Sequence, residues 1–168
     1  MKHSKIRLAR PVDFNKLCTP VHSHKIFKSG ILTQGPYVGE LEKTISAYVG
    51  VKYAVAVSSG TAALHLALLA CGIGSKDSVI VPDFTFPATA NVVELTGARP
   101  VFIDVERDSF NLDPLRLARI FESIENRRRI KAIMPVHQFG LAVDMDSVKF
   151  IAKTYGIIII EDAGCSLR

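Results

Sequence analysis

Five short apolar runs limit what this chain can become: residues 54–57 (AVAV), 78–81 (SVIV), 101–105 (VFIDV), 131–136 (KAIMPV) and 157–160 (IIII). Each is strand-length, 78–81, 101–105 and 157–160 are bounded by Gly, Pro or acidic residues, and the last is apolar throughout, as in a strand covered on both faces. Between them lie segments with apolar residues at helical spacing, 62–69, 90–96, 114–125 and 144–155. A further short helix is predicted over residues 40–49, where Leu41, Ile45 and Tyr48 are three to four apart and Gly50 follows. Strands that alternate with helices predict an α/β fold, a mostly parallel sheet with helices on both faces.

Hydrophobic residues make up 48% of the 168, enough for a substantial core, and no apolar run reaches the roughly 18 residues a membrane helix needs. The expectation is a soluble, cytoplasmic protein with no membrane partner. Cys18, Cys71 and Cys165 form no C-x-x-C pair, and an odd number suits a reducing compartment. No metal site is expected, because His22 and His24 have no cysteine or carboxylate at ligand spacing. The net charge of +5 is carried by the first 28 residues, where seven basic side chains face Asp13 alone. That leader has no reader motif, so no nucleic-acid partner is expected. Residues 127–129 (RRR) are read as a solvated surface run.

The sharpest local motif is Ser58-Ser59-Gly60-Thr61, which breaks the first apolar run before the helix at 62–69. The first N–H groups of that helix have no intrahelical acceptor, and the positive end of the helix dipole lies behind them. Such a turn holds an anion or is an ordinary N-cap, and both remain open here. It is neither a Walker A loop nor a G-x-G-x-x-G turn. In open parallel sheets ligands gather beyond the carboxyl ends of the strands. Loops 58–61, 83–89, 137–140 and 162–165 all fall on that edge. Phe84 and Phe86 are either ligand contacts or core plugs. Asp162 taken alone is as readily a helix cap or ion-pair partner as a site residue, but an acid, a helix start and an aromatic plate together suggest a cofactor site.

The blocks SSGTAALHLAL (58–68), PDFTFPATANVV (82–93), GARPVFIDV (97–105), PVHQFGLAVDM (135–145) and IEDA (160–163) resemble, in order and spacing, the DegT/DnrJ/EryC1/StrS family. Those proteins are pyridoxal-phosphate-dependent aminotransferases of fold type I, and the resemblance runs over residues 31–167. Residues 1–30 show no sustained period, with Pro11 and Pro20 interrupting the pattern, and are read as a basic, irregular leader. The resemblance implies an incomplete large domain over 31–168. The implied strand order is 3-2-4-5-6-7-1, with the sixth and seventh strands not among these residues. The implied cofactor is pyridoxal 5'-phosphate. Gly60 and Thr61 match the phosphate-holding positions, Phe86 the ring against the pyridine face, and Asp162 the carboxylate that pairs with the pyridine nitrogen. Ser59 and His137 are further candidates, for which structural roles are the alternative.

Two departures from the family pattern stand out. Three residues after the aspartate the family usually has Gln or His near the ring hydroxyl, and this chain has Cys165. The family's Schiff-base lysine lies beyond the E-D-A block, and Lys131, Lys149 and Lys153 do not match it, so no catalytic residue is expected among these 168. The activity implied is transfer of an amino group, with glutamate as donor, to a nucleotide-linked keto sugar of polysaccharide biosynthesis by a homodimer, with this chain inactive alone. The alternatives are a sugar dehydratase of the same family, with histidine in place of the lysine, and a non-catalytic module that binds the cofactor or phosphate or serves assembly. An unrelated nucleotide-binding α/β domain would leave the later blocks unexplained.

Overall fold

Four parallel strands pair side by side in the order β2-β1-β3-β4: β1 (Ser78–Pro82), β2 (Arg99–Ile103), β3 (Ile130–Ile133) and β4 (Ile158–Ile159). They belong to a computed structural model that describes residues 20–31, 33–123 and 127–166. In the numbering of the five apolar runs this order is 3-2-4-5, the one the resemblance implies. Among the described residues six α-helices accompany the strands: α1 (Pro20–Ser29), α2 (Pro36–Val49), α3 (Gly60–Ala70), α4 (Ala88–Leu95), α5 (Pro114–Ser123) and α6 (Met145–Tyr155). None of the described helices is long and apolar enough to cross a membrane.

The alternation of a pleated strand divides the sheet residues between two cores. Val79 and Val81 point to one face, where Leu64 and Leu68 of α3 and Val92 and Val93 of α4 cover them. Ile80 points to the other, under Leu117 and Phe121 of α5 and Val148 and Ile151 of α6. Leu68, Val79, Ile80 and Val92 have no exposed surface, and each fully buried aliphatic side chain contributes roughly 1.5–3 kcal/mol. β3 keeps both cores supplied by means of a bulge. Ser78 faces Ile130 but Val79 faces Ala132, so Lys131 is the extra residue and stays exposed. Pro100 lies in β2, an edge strand, where a missing ladder donor is tolerated.

Two expectations are corrected. Residues 54–57 form no strand. Alternating Ala and Val become a strand only beside a ladder partner, and none lies there among the described residues. The Ala56 N–H donates instead to Glu42 Oε1 at 2.9 Å, and Val55 is 78% exposed. The leader is not irregular where it is described, because α1 occupies Pro20–Ser29. Pro20, read as an interruption, opens that helix at a position whose missing N–H would have no intrahelical acceptor anyway. The rest of the leader, with Cys18, lies outside the described residues.

The chain divides into two compact units, Met1–Ala56 and Val57–Arg168, so the division falls after residue 56. In the first, α2 starts a turn earlier than its apolar spacing suggests, with Pro36 at its start, and ends at Gly50 in the left-handed conformation (φ 76°). The second holds the whole sheet and the candidate site. Arg128 and Arg129 are exposed on a single 3-10 turn.

Candidate functional site

The carboxyl edge of the sheet is shaped by what each chain segment does on leaving it. Ser59 precedes α3 in an extended conformation (φ −162°), and its Oγ accepts the Ala62 N–H at 3.1 Å. With Ser59 serving as the N-cap, the N–H groups of Gly60 and Thr61 have no protein acceptor among the described residues. A Cβ placed on Gly60 would meet nothing within 4 Å, so no protein contact demands glycine there.

After β1 the chain is pinned by the Asp83 N–H, which donates to the Ile103 carbonyl at 2.9 Å. Thr85 and Thr89 pair through their hydroxyls at 3.0 Å, with Thr89 fully buried at the start of α4. Phe86 stands between them, 73% exposed. Across the sheet the ends of the fourth and fifth runs are zipped by a parallel bridge between Val136 and Asp162. The Asp162 N–H donates to the Pro135 carbonyl (2.9 Å), and the Asp162 carbonyl accepts the His137 N–H (3.1 Å). The carboxylate Oδ1 accepts the Gly164 N–H at 3.1 Å. Its other oxygen has no partner, and Asp162 makes no ion pair, among the described residues.

These groups surround one cleft of about 310 Å³, lined by Gly60, Thr61, Phe86, Asp162 and Cys165, with Thr85 and Gln138 between them. Five of the residues singled out from the sequence therefore share a cavity. Two others do not line it. Ser59 is turned into its helix as the cap, and His137 is only 7% exposed. The His137 Nδ1 accepts the Val143 N–H at 3.1 Å, so Nε2 carries the proton and donates to Glu161 Oε2 at 3.3 Å. Both ring nitrogens are used, which is the structural alternative for this residue. No lysine lines the cleft among the described residues.

Sequence reasoning passed over Thr89, Gln138 and Gly164 individually, although all three line the cleft. It also passed over Asn111, 2% exposed, whose amide ties two loops together. Only the i, i+4 spacing of Thr85 and Thr89 was available as a signal. The partners of Asn111 lie 27 and 30 positions away.

The DegT/DnrJ/EryC1/StrS aminotransferase family profile matches residues 21–167. The chain belongs to this family. It is 46% identical over 136 residues to the spore coat polysaccharide biosynthesis protein SpsC of Bacillus subtilis, covering 81% of this chain and 34% of that protein. Against the GDP-perosamine synthase of Caulobacter vibrioides it is 45% identical over 133 residues, 79% of this chain and 34% of that one. The chain thus spans about a third of the length of these relatives. Among solved structures, a DegT/DnrJ/EryC1/StrS aminotransferase from Brucella abortus superposes with a TM-score of 0.81 at 43% identity, over 85% of this chain and 39% of that one. NtdA from Bacillus subtilis, solved with bound cofactor PMP, gives 0.77 at 33% identity over 99% and 39%. The four-stranded parallel sheet is therefore part of a DegT/DnrJ/EryC1/StrS fold type I large domain, and aminotransferases of this family depend on pyridoxal phosphate.

Proposed function

We propose that this chain is the cofactor-holding part of a pyridoxal-phosphate-dependent aminotransferase that moves an amino group, with glutamate as donor, to a nucleotide-linked keto sugar. The observation that carries the proposal is the meeting of a helix start with free N–H groups, an aromatic ring and a carboxylate around one cleft. The relatives named GDP-perosamine synthase and UDP-2-acetamido-2-deoxy-3-oxo-D-glucuronate aminotransferase support the substrate class.

The donor set fits the cofactor. The Gly60 and Thr61 N–H groups and the Thr61 hydroxyl bind the phosphate at the positive end of the α3 dipole. Glycine at position 60 leaves the room that a Cβ would take from the ligand. Phe86, which lines the cleft, would stack on the pyridine ring, fix its plane and keep water from that face. Asp162, one of whose carboxylate oxygens has no protein partner among the described residues, would hold a proton on the ring nitrogen. When bound, the cofactor would supply a protonated ring able to draw electrons from the substrate carbon. Cys165 offers only a weak donor where the family usually places Gln or His. The working unit is a homodimer in the cytoplasm.

The chain binds the cofactor but does not complete transamination, because no lysine lines the cleft among the described residues. Titration of the chain with pyridoxal phosphate, followed by the cofactor's absorbance and by equilibrium dialysis, tests the binding. Saturable one-to-one binding is expected, weakened roughly ten- to hundredfold in Asp162→Ala, in line with loss of a charge-assisted contact. Equal binding by both proteins would refute the assignment of Asp162. Borohydride reduction that leaves a stoichiometric label on one lysine would refute the inactivity.

A further inference from the structure

Three loops leave the carboxyl edge of the sheet, after β1, β2 and β3, and no ladder joins them there. A chain of side-chain amides does so. Asn111, in the loop after β2, is 2% exposed and uses both ends of its amide. Its Oδ1 accepts the Gln138 N–H at 3.0 Å, and its Nδ2 donates to the Leu141 carbonyl at 3.1 Å. Gln138 and Leu141 flank the 3-10 turn after β3, in which Phe139 takes a left-handed backbone (φ 52°) that a bulky side chain disfavours. Asn111 therefore holds both ends of a strained turn. Gln138 passes the connection on, for its Nε2 donates to the Phe84 carbonyl at 2.8 Å, 54 positions back in the chain. Phe84, Phe110 and Phe139, one ring from each of the same three loops, cluster with centroids 5.2, 6.4 and 6.5 Å apart.

We propose that Gln138 is a positioning residue for the aromatic wall of the cleft, holding the loop that presents Phe86, and that Asn111 acts through it. The Phe84 carbonyl is two residues before Phe86, and Gln138 itself lines the cleft. The loop's other hydrogen bonds, Asp83 N–H to the Ile103 carbonyl, Thr85 to Thr89 through their hydroxyls and Thr89 N–H to the Phe86 carbonyl, come from the β2 end and from α4. Among the described residues Gln138 supplies the hydrogen bond that ties it to the β3 side, beside the Phe84–Phe139 ring contact. Its Oε1 has no protein partner among the described residues and stays available to a ligand. The inference rests on the proposed function only for what Phe86 faces. The brace itself is a property of the protein alone.

The chain has no tryptophan, so Phe86→Trp places a single emitter in the wall. In that background the full chain is compared with Gln138→Leu, Gln138→Lys, which restores a donor, and Asn111→Asp, which keeps Oδ1 and loses the donor to Leu141. The readouts are tryptophan anisotropy, amide hydrogen exchange over residues 84–89, and pyridoxal phosphate affinity. In Gln138→Leu, exchange over 84–89 is expected to quicken roughly two- to tenfold, the loss of one neutral hydrogen bond. Anisotropy should fall and affinity should drop by a similar factor, while amides of β1 and β3 keep their rates. Gln138→Lys should recover part of each, and Asn111→Asp should show the same pattern more weakly. Unchanged exchange and anisotropy in Gln138→Leu would overturn the brace, and a loosened loop with unaltered affinity would overturn its positioning role. If the unsubstituted chain, with Phe86 and Gln138 both in place, binds no pyridoxal phosphate, the proposed function fails, and the two loop readouts still decide the brace.

Discussion

Replacing Gly60 with alanine should strengthen the protein and weaken its site together. Gly60 is the first residue of α3, its φ lies outside the left-handed region, and a Cβ there meets no atom within 4 Å. The folded state loses nothing, while alanine narrows the unfolded ensemble and favours helix. The gain is about 0.4–1 kcal/mol. For a chain of this size that raises the melting temperature by roughly 1–4 °C. The added methyl enters the cleft beside two free N–H groups, where it keeps a phosphate from a charge-assisted hydrogen bond worth about 1.5–3 kcal/mol. Pyridoxal phosphate should then bind roughly ten- to hundredfold more weakly. Urea unfolding measures the first effect and cofactor titration of the same samples the second. A less stable Gly60→Ala would refute the open space beside the residue. A more stable one with unaltered affinity would refute the idea that glycine is needed there for ligand approach.

Ser59→Ala removes the acceptor for the Ala62 N–H and should lower the urea midpoint by the equivalent of about 1 kcal/mol. Ser59→Asp should keep most of it. His137→Phe leaves the N–H of buried Val143 without its acceptor, at a cost of about 1–3 kcal/mol. A midpoint unchanged from the parent would refute the assignment of Nδ1. Asp144 caps α6, and the Ser147 hydroxyl, with the Ser147 N–H, holds its carboxyl below the usual range. Because the folded pKa is lowered, the stabilisation is complete above about pH 4 and is lost as pH falls through the folded value. Urea midpoints of the parent and Asp144→Asn should differ at neutral pH and converge in acid, and a gap that persists below about pH 2 would refute the account.

Much of the fold was legible because burial follows short periods. Val79, Ile80 and Val81 announced a strand by their run of apolar side chains, and the structure divides them between two faces. Val148, Ile151 and Ala152 announced α6 by helical spacing, and all three are buried against the sheet. Residues 54–57 carry as strong a local pattern and form no strand, because pairing depends on a neighbour that local pattern does not specify. Pro20 was misleading for a related reason, since proline ends a helix that precedes it and begins one that comes after it.

The candidate site divides along the same line. Which side chains were chemically able to hold an anion, stack on a ring or pair with a protonated nitrogen was readable from Gly60, Thr61, Phe86 and Asp162. Their order in the chain carried the family. That they meet in one cavity, that Ser59 and His137 turn away into structural hydrogen bonds, and that Asn111 and Gln138 brace three loops were decided by the order of the strands. Residue type and spacing act over a few positions, through backbone sterics and burial. A hydrogen bond between residues 54 apart exists only once the sheet has brought its loops to one edge.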